Sequence, residues 1–135
     1  MDTNVLVSGL RSRNGASFRL LSMVDAGKFE LAISVPLVLE YEAAAKKHSR
    51  ATGLSVSDID AIIDYICRIA KRYKIYYLWR PFLSDPKDDM VLELAVVSNA
   101  NHIVTHNTAD FKEIEKFGLR ATKPRDFLRE IGELS

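Results

Sequence analysis

Apolar positions along this chain switch repeatedly between short continuous runs and stretches spaced three and four apart, the mark of strands alternating with amphipathic helices. Residues 4–10 predict a first helix, and residues 17–26 continue helical up to Gly27. Residues 29–34 predict a strand. Ser34 and Pro36 then suit a helix start, serine as a cap and proline in the first turn, where its missing N–H costs nothing, and that helix should run to about His48. The clearest period covers residues 57–73, where Ile59, Ile62, Ile63, Ile66, Ile69, Ala70 and Tyr73 share one face and Ser57 and Asp60 are spaced as a capping pair. Residues 74–79 alternate as a strand, Asp85-Pro86 forms a loop, and residues 90–100 predict an almost wholly apolar helix that belongs deep in the fold. A strand at 102–105, one or two helical turns at 110–117, an edge strand at 119–122 and a closing helix at 124–132 complete the order. Alternating strands and helices of this kind feed a parallel sheet, so the expected class is α/β.

A chain of 135 residues has room for one hydrophobic core, and residues 1–135 read as a single domain without linker, repeat or low-complexity segment. Its 19 basic and 18 acidic side chains nearly cancel, so any attraction for nucleic acid must come from local patches. The single cysteine, Cys67, excludes an internal disulfide and lies at the border of a helix's apolar face without a basic activator, which assigns it to packing. Neither a leader-like amino end nor an apolar run of membrane-spanning length is evident, so the expectation is a cytoplasmic protein with no membrane partner.

The acids change the picture most. Asp2 opens the chain at a helix start, Glu40 follows a strand and a proline, Asp88 and Asp89 precede an apolar helix, and Asp110 lies just past another strand. In open α/β sheets ligands bind at the carboxyl ends of the strands, so acids at successive strand-to-helix junctions converge in space although scattered in sequence. Each alone has a plain structural role: Asp2, Asp88 and Asp110 as helix caps, Glu40 as a solvated helix residue. Together they are different. Two carboxylates about 5 Å apart repel by roughly 3 kcal/mol at an effective dielectric of 20, so a cluster of them calls for a cation or a shared proton. Carboxylate oxygens suit magnesium or manganese. His102 and His106 fall on a strand and its exit rather than on one helix face, which argues against a histidine metal pair.

In this order and spacing the motifs resemble the PIN-domain family of metal-dependent nucleases, which includes the VapC-type toxins of toxin–antitoxin pairs. The resemblance rests on Asp-Thr-Asn-Val at 2–5, Ser34-Val35-Pro36 leading to Glu40, Asp89 at the apolar helix, Ile103-Val104-Thr105-His106-Asn107 with Asp110-Phe111, and Pro124-Arg125-Asp126-Phe127-Leu128. It implies a three-layer α/β/α sandwich on a parallel sheet of about five strands. It also implies a site in which Asp2, Glu40 and Asp89 hold Mg2+ or Mn2+, completed by Asp110 or Asn107, with Asp88 as the close alternative to Asp89. Asn4 and Thr105 would lie beside the cluster, and Arg11 and Arg13, which follow the Asp2 junction, are the expected contacts to an RNA substrate. An antitoxin and a second copy of the chain are the partners the resemblance implies. Two departures stand out. Asn107 occupies a position where many relatives carry aspartate, and only Met1 precedes Asp2 where relatives have several apolar residues of a first, central strand, so the first strand is expected to be cut short. Competing expectations are a degenerate domain of this family that binds RNA or a protein without cutting, and a receiver-like signalling domain. The latter needs a phospho-accepting aspartate on a central strand where this chain offers the helix of residues 57–73.

Overall fold

A computed structural model describes residues 1–75 and 82–133. Helix α1 (Thr3–Arg11) leaves Asp2 at once and crosses α2 (Ala16–Ser22) closely: a Cβ at Gly9 would collide with the Leu21 side chain and press on the Ser17 carbonyl. Strand β1 (Ala32–Ile33) runs into α3 (Val35–Lys47), whose cap is Ser34, its hydroxyl accepting from the Leu37 amide at 3.3 Å, with Pro36 in the first turn as expected. A single turn, α4 (Ser49–Thr52), leads to α5 (Val56–Ile69), strand β2 (Lys71–Arg72), helix α6 (Pro86–Val97), strand β3 (His102–Val104), two 3-10 turns, strand β4 (Arg120–Thr122) and helix α7 (Pro124–Glu130).

Two expectations about α5 are corrected. Its capping box is Ser55 with Asp58, not Ser57 with Asp60; each side chain of the pair bonds the other's backbone N–H, at 3.1 and 3.0 Å. The helix also ends at Ile69, because the amides of Lys71 and Tyr73 go to the carbonyls of Leu31 and Ile33 on β1 instead of continuing the helical ladder. Strand β2 thus occupies Lys71–Arg72, where the helix was expected to continue; of the strand expected at 74–79, residues 74 and 75 are not in a strand and 76–79 lie outside the described residues. Helix α6 begins earlier as well, capped by Asp85, whose carboxylate accepts from Lys87 N, so Asp88 is not the cap.

Among the described residues the strands form two parallel ladders, β1 with β2 and β3 with β4, rather than one sheet of five. The expected strand at 29–34 contracts to Ala32 and Ile33. Between the ladders stands the start of the chain: the Asp2 N–H donates to the Val104 carbonyl at 2.8 Å, and the Tyr41 hydroxyl donates to the Met1 carbonyl. Burial pushes the amino group of Met1 down to about 6, with the nearby Asp2 charge opposing it.

Apolar packing covers both faces of the strands. Successive β3 residues point opposite ways, Ile103 into a large cluster with Leu37, Tyr41, Ile59, Leu92 and Leu119, and Val104 into a smaller one with Val5, Leu20, Phe127 and Leu128. Helix α6 is buried as its composition predicts: Val91, Leu92, Leu94 and Ala95 are all enclosed, and each full-sized aliphatic contributes about 1.5–3 kcal/mol relative to exposure. Cys67 packs against the same core. Among the described residues no helix is long and apolar enough to cross a membrane.

Candidate active site

The carboxyl ends of β1 and β3 and the amino ends of α1 and α6 open onto a cleft of about 510 Å³ that Asp2, Asn4, Arg11, Glu40, Asp85, Asp88, Asn107 and Asp110 all help to line. The sequence scatters these groups over more than 100 positions, and the strand-to-helix junctions bring them to one end of the fold, as the alternating pattern requires.

Asp2 is the most firmly held. It is buried; one carboxylate oxygen accepts from the Thr3 amide at 2.8 Å and the other from the Thr105 hydroxyl at 2.6 Å. Thr105, fully enclosed at the exit of β3, accepts in turn from the Asn107 amide at 3.0 Å. The chain after β3 is further tied back to α1, where the Asn4 side-chain oxygen accepts from His106 N at 3.4 Å. Thus Thr105 acts beneath the cleft, through Asp2, and is not itself among its lining residues.

The two neighbouring aspartates of α6 part company. Asp89 is 2% exposed and its oxygens accept from the amides of Leu83 at 2.8 Å and Phe82 at 3.4 Å, so it fastens the approach to α6 and does not line the cleft. Asp88, one residue earlier and about 100° around the helix, does line it. Burial pushes the Asp88 carboxyl up to about 6, and the negative charges of Asp2, Asp85, Asp110 and Asp89 push the same way. Like charges within mutual reach are what an assembled acid cluster produces.

Glu40 reaches the cleft from α3 and pairs with Lys87 at 3.4 Å. Lys87 carries no signal of its own in the sequence, since only the turn of α6 places it opposite Glu40. Asp110 and Asn107 are exposed at the rim, on and before the first 3-10 turn. Arg11 lines the cleft; Arg13, exposed in the following loop, does not. His106, also at the rim, meets the buried hydroxyl of Ser17 at 3.0 Å, and His102 is occupied elsewhere, by Thr122 at 2.9 Å and Glu130 at 3.2 Å. Of the basic groups at the end of α3, Lys46 is paired at the surface with Glu42 and with Asp60 of α5.

The donor chemistry of the cleft fits a hard divalent cation, being carboxylate oxygens that repel one another. As they stand, no three acids, histidines or cysteines among the described residues form a ready coordination group. The reasons are visible: Asp2 is committed to Thr3 and Thr105, and Glu40 to Lys87.

An α/β domain with acids gathered at the carboxyl ends of parallel strands places the chain in the broad class of α/β proteins whose site lies at that end of the fold. Comparison with family models makes this specific: the PIN domain model matches residues 1–109, and the chain belongs to the PIN domain family, a nuclease-type fold. That membership sets the receiver-like alternative aside. No curated protein matches the chain.

Proposed function

We propose that the protein is a metal-dependent endoribonuclease, acting as the toxin of a toxin–antitoxin pair, with Mg2+ or Mn2+ held by Asp2, Glu40, Asp88 and Asp110. The single observation that carries the reading is that these four acids line one cleft. A bound divalent ion supplies an activated water and offsets charge on the scissile phosphate. The residues of the chain do the rest. Asp2, fixed by Thr105, gives a rigid anchor; Asp88 and Glu40 close from α6 and α3; Asp110 and Asn107 stand at the open rim, where substrate enters. Arg11 and Lys87 offer the positive charge that an RNA backbone needs near the acids. A five-stranded α/β/α sandwich, a homodimer and an antitoxin partner belong to the same reading and rest on the resemblance alone. Cleavage of RNA that requires Mg2+ or Mn2+ and disappears in Asp88→Asn supports the proposal; metal-independent cleavage, or full activity in that variant, overturns it.

One second reading has an observation behind it. Because Asp89 is turned to backbone amides and the acids are not poised as a coordination group, a domain that holds RNA without cutting it is the natural alternative. RNA binding that is undiminished by chelation and leaves the RNA intact would select it.

Lys87 gives a finer test. Its ammonium occupies Glu40, so a cation must displace it. Exposed pairs of this kind contribute about 0–1 kcal/mol, and Lys87→Gln is expected to tighten Mn2+ binding by up to about fivefold in calorimetric titration. Unchanged or weaker binding would show that Lys87 does not compete for Glu40.

A further inference from the structure

The acid cleft has two ends of opposite character. Beyond the acids its lining continues along one stripe of α1, Asn4, Ser8 and Arg11, and along one stripe of α3, Glu40, Ala44 and His48. These helices pack on each other and form the two walls of a trough. The Tyr41 hydroxyl, donating to the Met1 carbonyl, sets the middle of α3 beside the start of α1, and the turn α4, which begins just after His48, also packs on α1. Both walls therefore lead away from the acids. At 1.5 Å per residue Arg11 lies about 13 Å beyond Asp2, and His48 about 12 Å beyond Glu40. Asp85, Asp88 and Asp110 gather with Asp2 at the near end, as the charges felt by Asp88 show, whereas the far stretches of both stripes carry Arg11 and His48 and no acid. Neither Arg11 nor His48 has an ion-pair partner among the described residues. Both helices end here, and their carbonyl ends carry partial negative charge, so an anionic group needs full cations to stay. Arg11 supplies one, and Lys47 and Arg50 stand exposed close to His48 in the chain.

We infer, taking the protein to be the nuclease proposed, that this far end is a separate phosphate subsite, where Arg11 and His48 hold the backbone of single-stranded RNA a few nucleotides from the bond cut at the acids. The Arg11 guanidinium forks onto phosphate oxygens, and a ring N–H of His48 donates to one. Phosphates advance about 3.4 Å per nucleotide along a stacked strand, so the two ends lie about four nucleotides apart, and fewer when the strand is extended. Packed helices stand about 8–10 Å apart, which leaves a trough for one strand and none for a duplex. Substrate length follows from this geometry, because an RNA of two nucleotides reaches the acids and misses the far cations.

Fluorescence anisotropy with labelled single-stranded RNA, a dinucleotide and a hexanucleotide, tests the subsite in chelator, where no cutting occurs. The parent is expected to bind the hexanucleotide at least about fivefold tighter than the dinucleotide, and Arg11→Gln and His48→Gln each to lose most of that advantage. Arg11→Gln should also lower the slope of log affinity against log salt by about 0.7, whereas Arg125→Gln, on an exposed residue of α7 that does not line the cleft, should change neither quantity. With manganese added, the loss in the first two variants should appear as a raised KM for the hexanucleotide. Equal weakening by Arg125→Gln would reduce the effect to diffuse charge and overturn the subsite, as would equal binding of the two lengths or of a duplex. The expected binding pattern in a protein that cuts no RNA would overturn the nuclease reading and leave the subsite standing; manganese-dependent cutting with both variants indistinguishable from the parent would do the opposite.

Discussion

Asp88→Asn is expected to remove Mn2+ binding and RNA cleavage while making the metal-free protein more stable at neutral pH, and Asp89→Asn to do the reverse. In the folded chain the Asp88 carboxyl is held up to about 6, against an ordinary value of 3.8, first by burial and then by the charges of Asp2, Asp85, Asp110 and Asp89. An acid raised on folding binds more protons in the folded than in the unfolded chain between those two values, so stability falls as pH rises from about 4 to about 6 and stays at the lower level above that. Asparagine carries no such penalty. Because Asp88 is only half buried, solvent screening reduces the effect to the order of 1 kcal/mol at pH 7, vanishing at pH 4 and below. Asp89 is the opposite case: its carboxylate holds the amides of Leu83 and Phe82 in a site 2% exposed. Its amide replacement weakens a charge-assisted pair of bonds and is expected to cost about 1–3 kcal/mol, with Mn2+ binding kept. Urea denaturation at pH 4 and pH 7 together with metal titration separates the two; loss of binding in Asp89→Asn with binding intact in Asp88→Asn would reverse the assignment.

Thr105→Val should be the most destabilising single change near the cleft, by about 2–4 kcal/mol. It keeps the volume and deletes a hydroxyl that donates to Asp2 at 2.6 Å and accepts from Asn107 N at 3.0 Å, in a fully enclosed position. A buried carboxylate and a backbone amide both lose their partner. Thr105→Ser, which retains both bonds, should fall within about 1 kcal/mol of the parent. A valine variant that unfolds at the same urea concentration as the parent would show that Asp2 is not held through Thr105.

Much of the fold could be read before any coordinates. The helix capped at Ser34 with Pro36 in its first turn, the buried apolar helix, the helix that follows Asp2 and the closing helix after Pro124 all depend on local chemistry, and local chemistry is what a sequence displays. Errors gathered where two local solutions compete. The segment Ser55-Val56-Ser57-Asp58-Ile59-Asp60 contains the serine-to-aspartate spacing twice, and only packing decides that Ser55 caps. Apolar spacing persists through Ala70 and Tyr73, yet the edge of β1 takes their neighbourhood into a ladder, a tertiary choice that no helical period reveals.

The site shows the same division. Asp2, Glu40 and Asp110 announce themselves by standing at junctions. Asp88 and Asp89 are equivalent in sequence, and the difference between a cleft-facing acid and a buried loop fastener is one step around a helix. Lys87 was invisible because its meaning depends on Glu40, 47 positions earlier, arriving opposite it.

The most direct measurement is a crystal of the protein soaked in manganese and recorded for anomalous scattering. A peak is expected within about 2.5 Å of a carboxylate oxygen of Asp88, shared with Asp2 or Glu40 after Lys87 has moved aside. A peak bound by Asp89 instead, or acids that stay apart with no ion between them at saturating manganese, would contradict it.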